Sequence, residues 1–302
     1  MGDVSFIAVD WGTTSFRLWA LEADGTITAA SDGPFGMANL KRSDFGSVLE
    51  DSIAKIGHGA DVPVVICGMA GAAQGWCEAP YLQTPTPLHA LGKGAVTVRG
   101  STRDVRILPG VKQMSPANVM RGEETQIAGL LHHHPDFSGT VCLPGTHTKW
   151  VRVADQSIID FETCMTGEQF AFFSKTSVLS HSMIVDGWSD TAFADAVAAA
   201  LDDPTSVPRL LFAIRAEMLI GEQSGAEARA RLSGLLIGQE LVATRPFWDR
   251  GNVTLIGASK LCELYLHAFD QLGIAGQALD SEAMTVAGLV SAYQIQKETF
   301  HA

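Results

Sequence analysis

Asp10 closes an apolar run, Phe6-Ile7-Ala8-Val9, and leads into Trp11-Gly12-Thr13-Thr14-Ser15 before the chain turns apolar again at Phe16-Arg17-Leu18-Trp19. The same arrangement returns at Leu143-Pro144-Gly145-Thr146-His147-Thr148-Lys149-Trp150-Val151-Arg152. Each copy reads as a strand, a Gly-Thr turn and a second strand. Each then meets a hairpin signal, Asp24-Gly25 in the first and Asp155-Gln156-Ser157 in the second. A tight Gly-Thr turn presents backbone N–H groups and hydroxyls to one point, which suits phosphate oxygens. Two such turns imply two similar halves that clasp one polyphosphate from both sides.

A carboxylate at the end of a buried strand is costly unless it has a partner or a cation. Asp10 is therefore expected to serve the Mg²⁺ of a metal–phosphate complex, directly or through water. Taken alone, such a residue more commonly makes an Asx-type turn, here onto Gly12 or Thr13. Arg17 could reach back to a phosphate in bidentate fashion, or stand in solvent at a strand edge. Lys149 could neutralise a transferring phosphate, although a surface lysine at a strand edge is the commoner state. Glu123 and Glu124 follow Arg121-Gly122 and open a helical run. The helix dipole favours acids there in any case. The functional reading makes one of them a general base for a hydroxyl that attacks a γ-phosphate. His132-His133-His134-Pro135 ends that helix, where imidazoles suit the dipole and point in different directions, so no metal cluster is expected. Gly257-Ala258-Ser259 follows a short apolar strand, and small residues there let a flat ring approach the backbone.

The elements that would position these residues repeat as well. Residues 4–10, Phe16–Leu21 and Thr26–Ala30 predict a three-stranded meander. Phe45, Val48, Leu49, Ile53 and Ile56 predict a helix over 43–56, and Pro63–Cys67 a strand buried on both faces. Residues 82–115, rich in Pro and Gly, read as loops and short strands. The second half then runs through a helix over 123–134, a meander from Thr140 to Met165, helices over 191–201, 209–220 and 226–244, a strand over 253–256, and closing helices over 260–272 and 282–296. The chain of 302 residues is 46% hydrophobic and 18% charged, enough for two cores. No apolar run is long enough for a membrane span, and the segment from Met1-Gly2 to Ser5 shows no leader or myristoylation signal, so a cytoplasmic location is expected. A net charge of −12 argues against a nucleic-acid partner but allows a phosphorylated ligand with a metal ion. Five cysteines without a Cys-x-x-Cys spacing read as buried reduced thiols.

The Asp-x-Gly-Thr-Thr turn, the Gly-Thr-His-Thr-Lys turn and the late Gly-Ala-Ser are similar to the phosphate and adenosine motifs of the actin/hexokinase/heat-shock ATPase superfamily. With Cys67-Gly68-Met69-Ala70-Gly71, Met165-Thr166-Gly167-Glu168 and Ser233-Gly234-Leu235-Leu236-Ile237-Gly238, the set resembles the 2-dehydro-3-deoxygalactonokinase family. The resemblance implies an α/β fold of two duplicated actin-like ATPase (ribonuclease H-like) domains around a central nucleotide and sugar cleft. The domains are expected at 1–120 and 121–281, with the C-terminal helix 282–302 free to pack back on the first. The implied activity is ATP- and Mg²⁺-dependent phosphorylation of 2-dehydro-3-deoxy-D-galactonate on its 6-hydroxyl, in galactonate catabolism. By the superfamily pattern Asp10 would serve the metal and Gly12, Thr13 and Thr14 the phosphates. Gly145, Thr146 and His147 would form the opposing phosphate turn, and Gly234, Gly238, Gly257 and Ala258 would border adenosine. Arg121-Gly122-Glu123-Glu124 resembles the Gly-x-Glu-Glu start of related exopolyphosphatases, where the first Glu is catalytic; sugar kinases of the superfamily usually use Asp.

A sugar-acid substrate needs a donor for its carboxylate, and Arg121, Gln74 and the backbone at Gly68-Met69 are candidates. Glu168 could accept a sugar hydroxyl or cap the helix that follows it. Two other readings compete: a phosphohydrolase of the exopolyphosphatase type, and a non-enzymatic ATP-binding module of actin fold. The expected partner is a small-molecule sugar acid, with neither nucleic acid nor membrane; the oligomeric state stays open, a homodimer being one expectation.

Overall fold

The computed structural model describes residues 4–57, 62–183, 187–249 and 251–301; Met1–Asp3, read above for a leader, lie outside them. β1 (Phe6–Trp11), β2 (Phe16–Leu21) and β3 (Ile27–Gly33) form the antiparallel meander the sequence predicts. Asp24 Oδ1 accepts the Thr26 N–H, and Gly25 takes φ +92° in the turn between β2 and β3. α1 (Phe45–Lys55) leads to β4 (Val64–Gly68), and β4 and β5 (Val105–Ile107) add in parallel beside β1. The order is β3-β2-β1-β4-β5, with the short strand Val96–Thr97 at the edge.

The chain then runs through α2 (Glu123–His133) into β6 (Gly139–Leu143), β7 (Thr148–Ala154) and β8 (Ser157–Cys164). Four helices follow: α3 (Thr166–Lys175), α4 (Asp190–Asp202), α5 (Val207–Ile220) and α6 (Gly225–Ala243). β9 (Val253–Gly257), α7 (Ser259–Asp270), β10 (Gly276–Asp280) and α8 (Ser281–His301) complete the chain. β9 and β10 add in parallel beside β6, so the order is β10-β9-β6-β7-β8. Both sheets therefore place a meander on one side of their first strand and two parallel strands on the other. This duplicated order is the actin-like arrangement expected from the sequence. Asp155 (φ 48°) and Gln156 (φ 55°) are both left-handed, as a two-residue hairpin turn requires. β10 had no sequence signal, because four of its five residues are exposed.

Two compact units form. One contains residues 1–138, 153–161 and 281–302; the other contains 139–152 and 162–280. The division at 138/139 differs from the expected boundary at 120/121, and the reason lies in α2 and α8. A Cβ on Gly129 would stand 1.9 Å from the Met284 carbonyl oxygen, and one on Gly288 would stand 1.9 Å from that of Thr125. The two helices meet backbone to backbone through these glycines, which fixes α2 and the closing helix in the first unit.

Period-two alternation gives that unit two cores. Ile7, Val9 and Trp11 pack with Phe45, Leu49 and Ile53 of α1. Phe6 and Ala8 face the other way, onto Leu289 and Val290 of α8. In the second unit Cys142, Trp150, Leu255 and Phe269 share a core with residues of α4 and α6. All five cysteines are free thiols. Among the described residues no helix is long and apolar enough to cross a membrane.

Candidate active site

In the first unit the register builds the site. Asp10 lies opposite Arg17 on β2 and opposite Cys67 on β4. Arg17 Nη2 donates to Asp10 Oδ2 at 2.6 Å, and the Cys67 thiol stands 3.8 Å from Oδ1. The carboxylate thus pairs across the sheet instead of making an Asx turn, and the Gly12 N–H donates to the Ser15 carbonyl instead. Burial works to lower the Arg17 pKa, but Asp10, with Glu282 beyond it, raises it overall. Glu282 stands 3.7 Å from Arg17 Nη1 and accepts the Trp19 indole N–H at 3.1 Å.

The turn itself is held from below. Met37 and Ala38 donate their N–H groups to the carbonyls of Gly12 and Thr13, while Thr13 and Thr14 remain exposed. Gly68, at φ +87°, ends β4 beside this group; a Cβ there would stand 2.6 Å from the Trp11 carbonyl oxygen. Met69 opens a short 3-10 turn after Gly68, and Gln74 is exposed.

The start of α2 faces Gly68: a Cβ on Gly122 would lie 3.6 Å from the Gly68 Cα. Arg121 stacks 4.2 Å over the Tyr81 ring and donates to the Ala79 carbonyl. Its Nη1 is buried against Gly71 without a hydrogen-bond partner. Glu123 is partly buried and accepts the Arg121 N–H at 3.0 Å. Glu124 is 1% exposed, and both its oxygens accept the Gly122 N–H, at 2.8 and 2.9 Å.

Burial, then the charge of Glu123, pushes the Glu124 pKa up to about 7 from 4.5. Between those values the unfolded chain has lost this proton while the folded chain keeps it. Stability should therefore fall as pH rises from about 4.5 to about 7 and level off above, by an amount on the order of 3 kcal/mol. Glu124→Gln should flatten that slope in thermal unfolding followed across this range, and an unchanged slope would contradict the assignment.

In the second unit the Gly145-Thr146-His147 turn is gripped by the start of α3. The Glu168 N–H donates to the Thr146 carbonyl at 2.9 Å, and a Cβ on Gly167 would stand 2.2 Å from the Gly145 carbonyl oxygen. A helix N-terminus beside the turn adds favourable field for an anion. His147 Nε2 and Glu168 Oε2 lie 2.5 Å apart, so two residues singled out separately from the sequence act as a pair. Glu168 does not cap α3. Lys149 is 4% exposed, with Nζ 3.5 Å from the His147 carbonyl. It lies beneath the turn, not at a solvated strand edge.

Beside this turn opens a cavity of about 350 Å³ with a mainly apolar wall. Phe170, Trp188, Leu236, Ile237, Leu264 and Tyr265 supply most of that wall, and Thr146, Thr166, Arg229 and Ser233 add polar side chains to the lining. Its size and mixed lining suit a nucleoside. Gly257 ends β9 and Ala258 caps α7, which carries Leu264 and Tyr265 into the cavity.

Gly234 and Gly238 stand differently from the expectation that they border adenosine. A Cβ on Gly234 would lie 2.4 Å from the Phe193 carbonyl oxygen, and one on Gly238 would lie 2.8 Å from the Ala200 Cβ. Both glycines face α4 and let two helices close; their neighbours Ser233, Leu236 and Ile237 line the cavity instead. Gly234→Val is expected to cost about 1–3 kcal/mol by overpacking this contact. A melting temperature equal to that of the parent protein would contradict it.

Two further residues carried no motif. Glu282 reaches Arg17 from α8, and no local pattern announces it. Glu240 is 4% exposed within α6. Burial raises its pKa, opposed by hydrogen bonds from Thr166, Trp150 and Tyr265. A lone carboxylate in the apolar run Leu235–Leu241 was the available signal.

A family model for 2-keto-3-deoxy-galactonokinases matches residues 10–292. A probable 2-dehydro-3-deoxygalactonokinase of Rhizobium meliloti is 40% identical over 293 residues, covering 95% of this chain and 96% of that protein. The 2-dehydro-3-deoxygalactonokinase of Escherichia coli is 32% identical over 289 residues, with the same coverage of 95% and 96%. The crystal structure of a putative 2-dehydro-3-deoxygalactonokinase from Sinorhizobium meliloti superposes with a TM-score of 0.91 at 40% identity, over 96% of this chain and 98% of that one. With a match that runs from Asp10 to Ala292, through both turns and the start of α2, this chain belongs to the 2-keto-3-deoxy-galactonokinase family.

Proposed function

We propose that this protein transfers the γ-phosphoryl group of ATP to the 6-hydroxyl of 2-dehydro-3-deoxy-D-galactonate, as a cytoplasmic step of galactonate catabolism. The observation that carries this reading is the repeated turn. In each of the two sheets a Gly-Thr turn leaves the first strand of the same five-strand order, in a chain matched by a sugar-acid kinase family over residues 10–292. The sugar oxygen forms a bond to the γ-phosphorus, the bond from that phosphorus to the ADP oxygen breaks, and the hydroxyl proton passes to a carboxylate of the chain.

Thr13 and Thr14 offer donors to phosphate oxygens in the first unit, on a turn that the Gly12 N–H closes onto Ser15, and Gly145 and Thr146 do so in the second. The His147–Glu168 pair steadies the latter turn. The cavity beside Tyr265 takes the nucleoside. Glu123 is the general base, being the less buried acid at the start of α2. Arg121, Gln74 and the backbone at Gly68-Met69 serve the sugar acid. Asp10 fits a magnesium ion: Oδ1 meets only the weak Cys67 thiol among the contacts described, while Arg17 occupies Oδ2. The remaining ligands of such an ion would be phosphate oxygens and water. When bound, Mg²⁺ neutralises charge on the phosphates.

A coupled ADP-release assay with Mg·ATP tests this against 2-dehydro-3-deoxygalactonate, its gluconate epimer, neutral hexoses and no acceptor. Turnover confined to the keto-deoxy acids is expected. Equal release without an acceptor would point to a phosphohydrolase, and no turnover with any acceptor to a binding module.

A further inference from the structure

Glu240 has no part in the chemistry above, yet among the described residues of the second unit it is a buried carboxylate with three side-chain donors. Its oxygens accept from Trp150 Nε1 at 2.8 Å, from the Tyr265 hydroxyl at 3.0 Å, and from Thr166 Oγ1. Thr148 Oγ1 lies 3.1 Å from the same Tyr265 hydroxyl. One carboxylate on α6 thus ties β7, α3 and α7 together. Burying such a charge gives little net stability, since an apolar group of the same shape packs as well. Its value lies in fixing the positions of its donors.

Those donors are the ones that shape the nucleotide site. Thr166 and Tyr265 both line the cavity. Thr148 and Trp150 sit on the strand that leaves the Gly145-Thr146 turn. Thr166 also precedes Gly167 and Glu168, whose backbones press against and donate to that turn. A shift of Glu240 would therefore move the turn and the cavity wall together.

We infer that Glu240 is a positioning residue for the nucleotide: through Thr166, Tyr265 and Trp150 it holds the second phosphate turn and the nucleoside wall in register. The inference rests on the kinase reading given above. It predicts an effect confined to one substrate, which a purely structural role would not produce.

The test uses the full-length protein and its Glu240→Gln, Thr166→Val and Thr166→Ser variants. KM for Mg·ATP and for the sugar acid is measured separately, and ADP binding by calorimetry. Glu240→Gln keeps the shape but turns one acceptor oxygen into a donor. It is expected to raise KM for Mg·ATP about tenfold and to weaken ADP binding by a similar factor, with the sugar-acid KM unchanged within about twofold. Thr166→Val should do the same, and Thr166→Ser, which keeps the hydroxyl, should restore the parent values. A folded Glu240→Gln protein with unaltered ADP affinity would overturn the inference. If that variant does not fold, an unaltered ADP affinity in Thr166→Val overturns it equally. Equal rises in both KM values would reduce Glu240 to a structural role. Parent protein that binds no ADP would overturn the nucleotide reading of the cavity and this inference with it, whereas binding by the parent with unmoved variants overturns the inference alone.

Discussion

Asp10→Ala is expected to lower kcat/KM for Mg·ATP by about 10³-fold, the scale of losing a metal-supported charge at the transferring phosphate. The carboxylate stands at the end of β1, where the sheet register sets it between Arg17 and Cys67 and beside the Gly12–Thr14 turn. Arg17 is about a third exposed and keeps Glu282 at 3.7 Å, so loss of the partly buried ion pair is expected to cost on the order of 1 kcal/mol of stability. The melting temperature should therefore change by only a few degrees while kcat/KM falls by about 10³-fold. Activity recovered in part at high Mg²⁺ would agree with a metal role. A variant that keeps most of its turnover at ordinary Mg²⁺ would show that the metal assignment is wrong.

Glu123→Gln is the second large effect. A general base typically contributes 10²–10⁴-fold, and the lower end, a loss of about 10² in kcat, is expected here because the attacking group is a positioned alcohol. KM for Mg·ATP should stay within about twofold, since the residue meets the acceptor and not the nucleotide. Glu124→Gln is the comparison. Its side chain is buried with both oxygens on the Gly122 N–H, so it holds the helix start and should cost less in kcat. Steady-state kinetics of the two variants decide the matter. A larger kcat loss in Glu124→Gln would reverse the assignment.

How much of this was legible in the sequence follows from how local each cause is. The Gly-Thr turns, the Asp24-Gly25 hairpin and the helix carrying Phe45, Leu49 and Ile53 depend on neighbours within a few residues, and they form as predicted. The Glu123-Glu124 helix start was legible for the same reason. Its division of labour was not, because the burial of Glu124 depends on packing of α2 within the fold.

Pairings between residues far apart in the chain have no local signal, even where one member stands out. Glu282 meets Trp19 across 263 positions, and Glu240 meets Trp150 across 90. Gly234 and Gly238 show a different failure. Their spacing puts them on one helix face, and either a ligand or another helix satisfies a small-residue face; α4 is what lies there. For Lys149 the sequence leaves a phosphate contact and a solvated strand edge both open, because strand alternation does not reveal that its side chain is buried.

Group transfer to a sugar acid is decided by identifying the product. The protein would be incubated with Mg·ATP and 2-dehydro-3-deoxy-D-galactonate and followed by phosphorus NMR with mass spectrometry. One phosphomonoester on the terminal carbon is expected for each ADP formed, with no free inorganic phosphate. Inorganic phosphate accumulating in step with ADP, with the sugar acid unchanged, would contradict it.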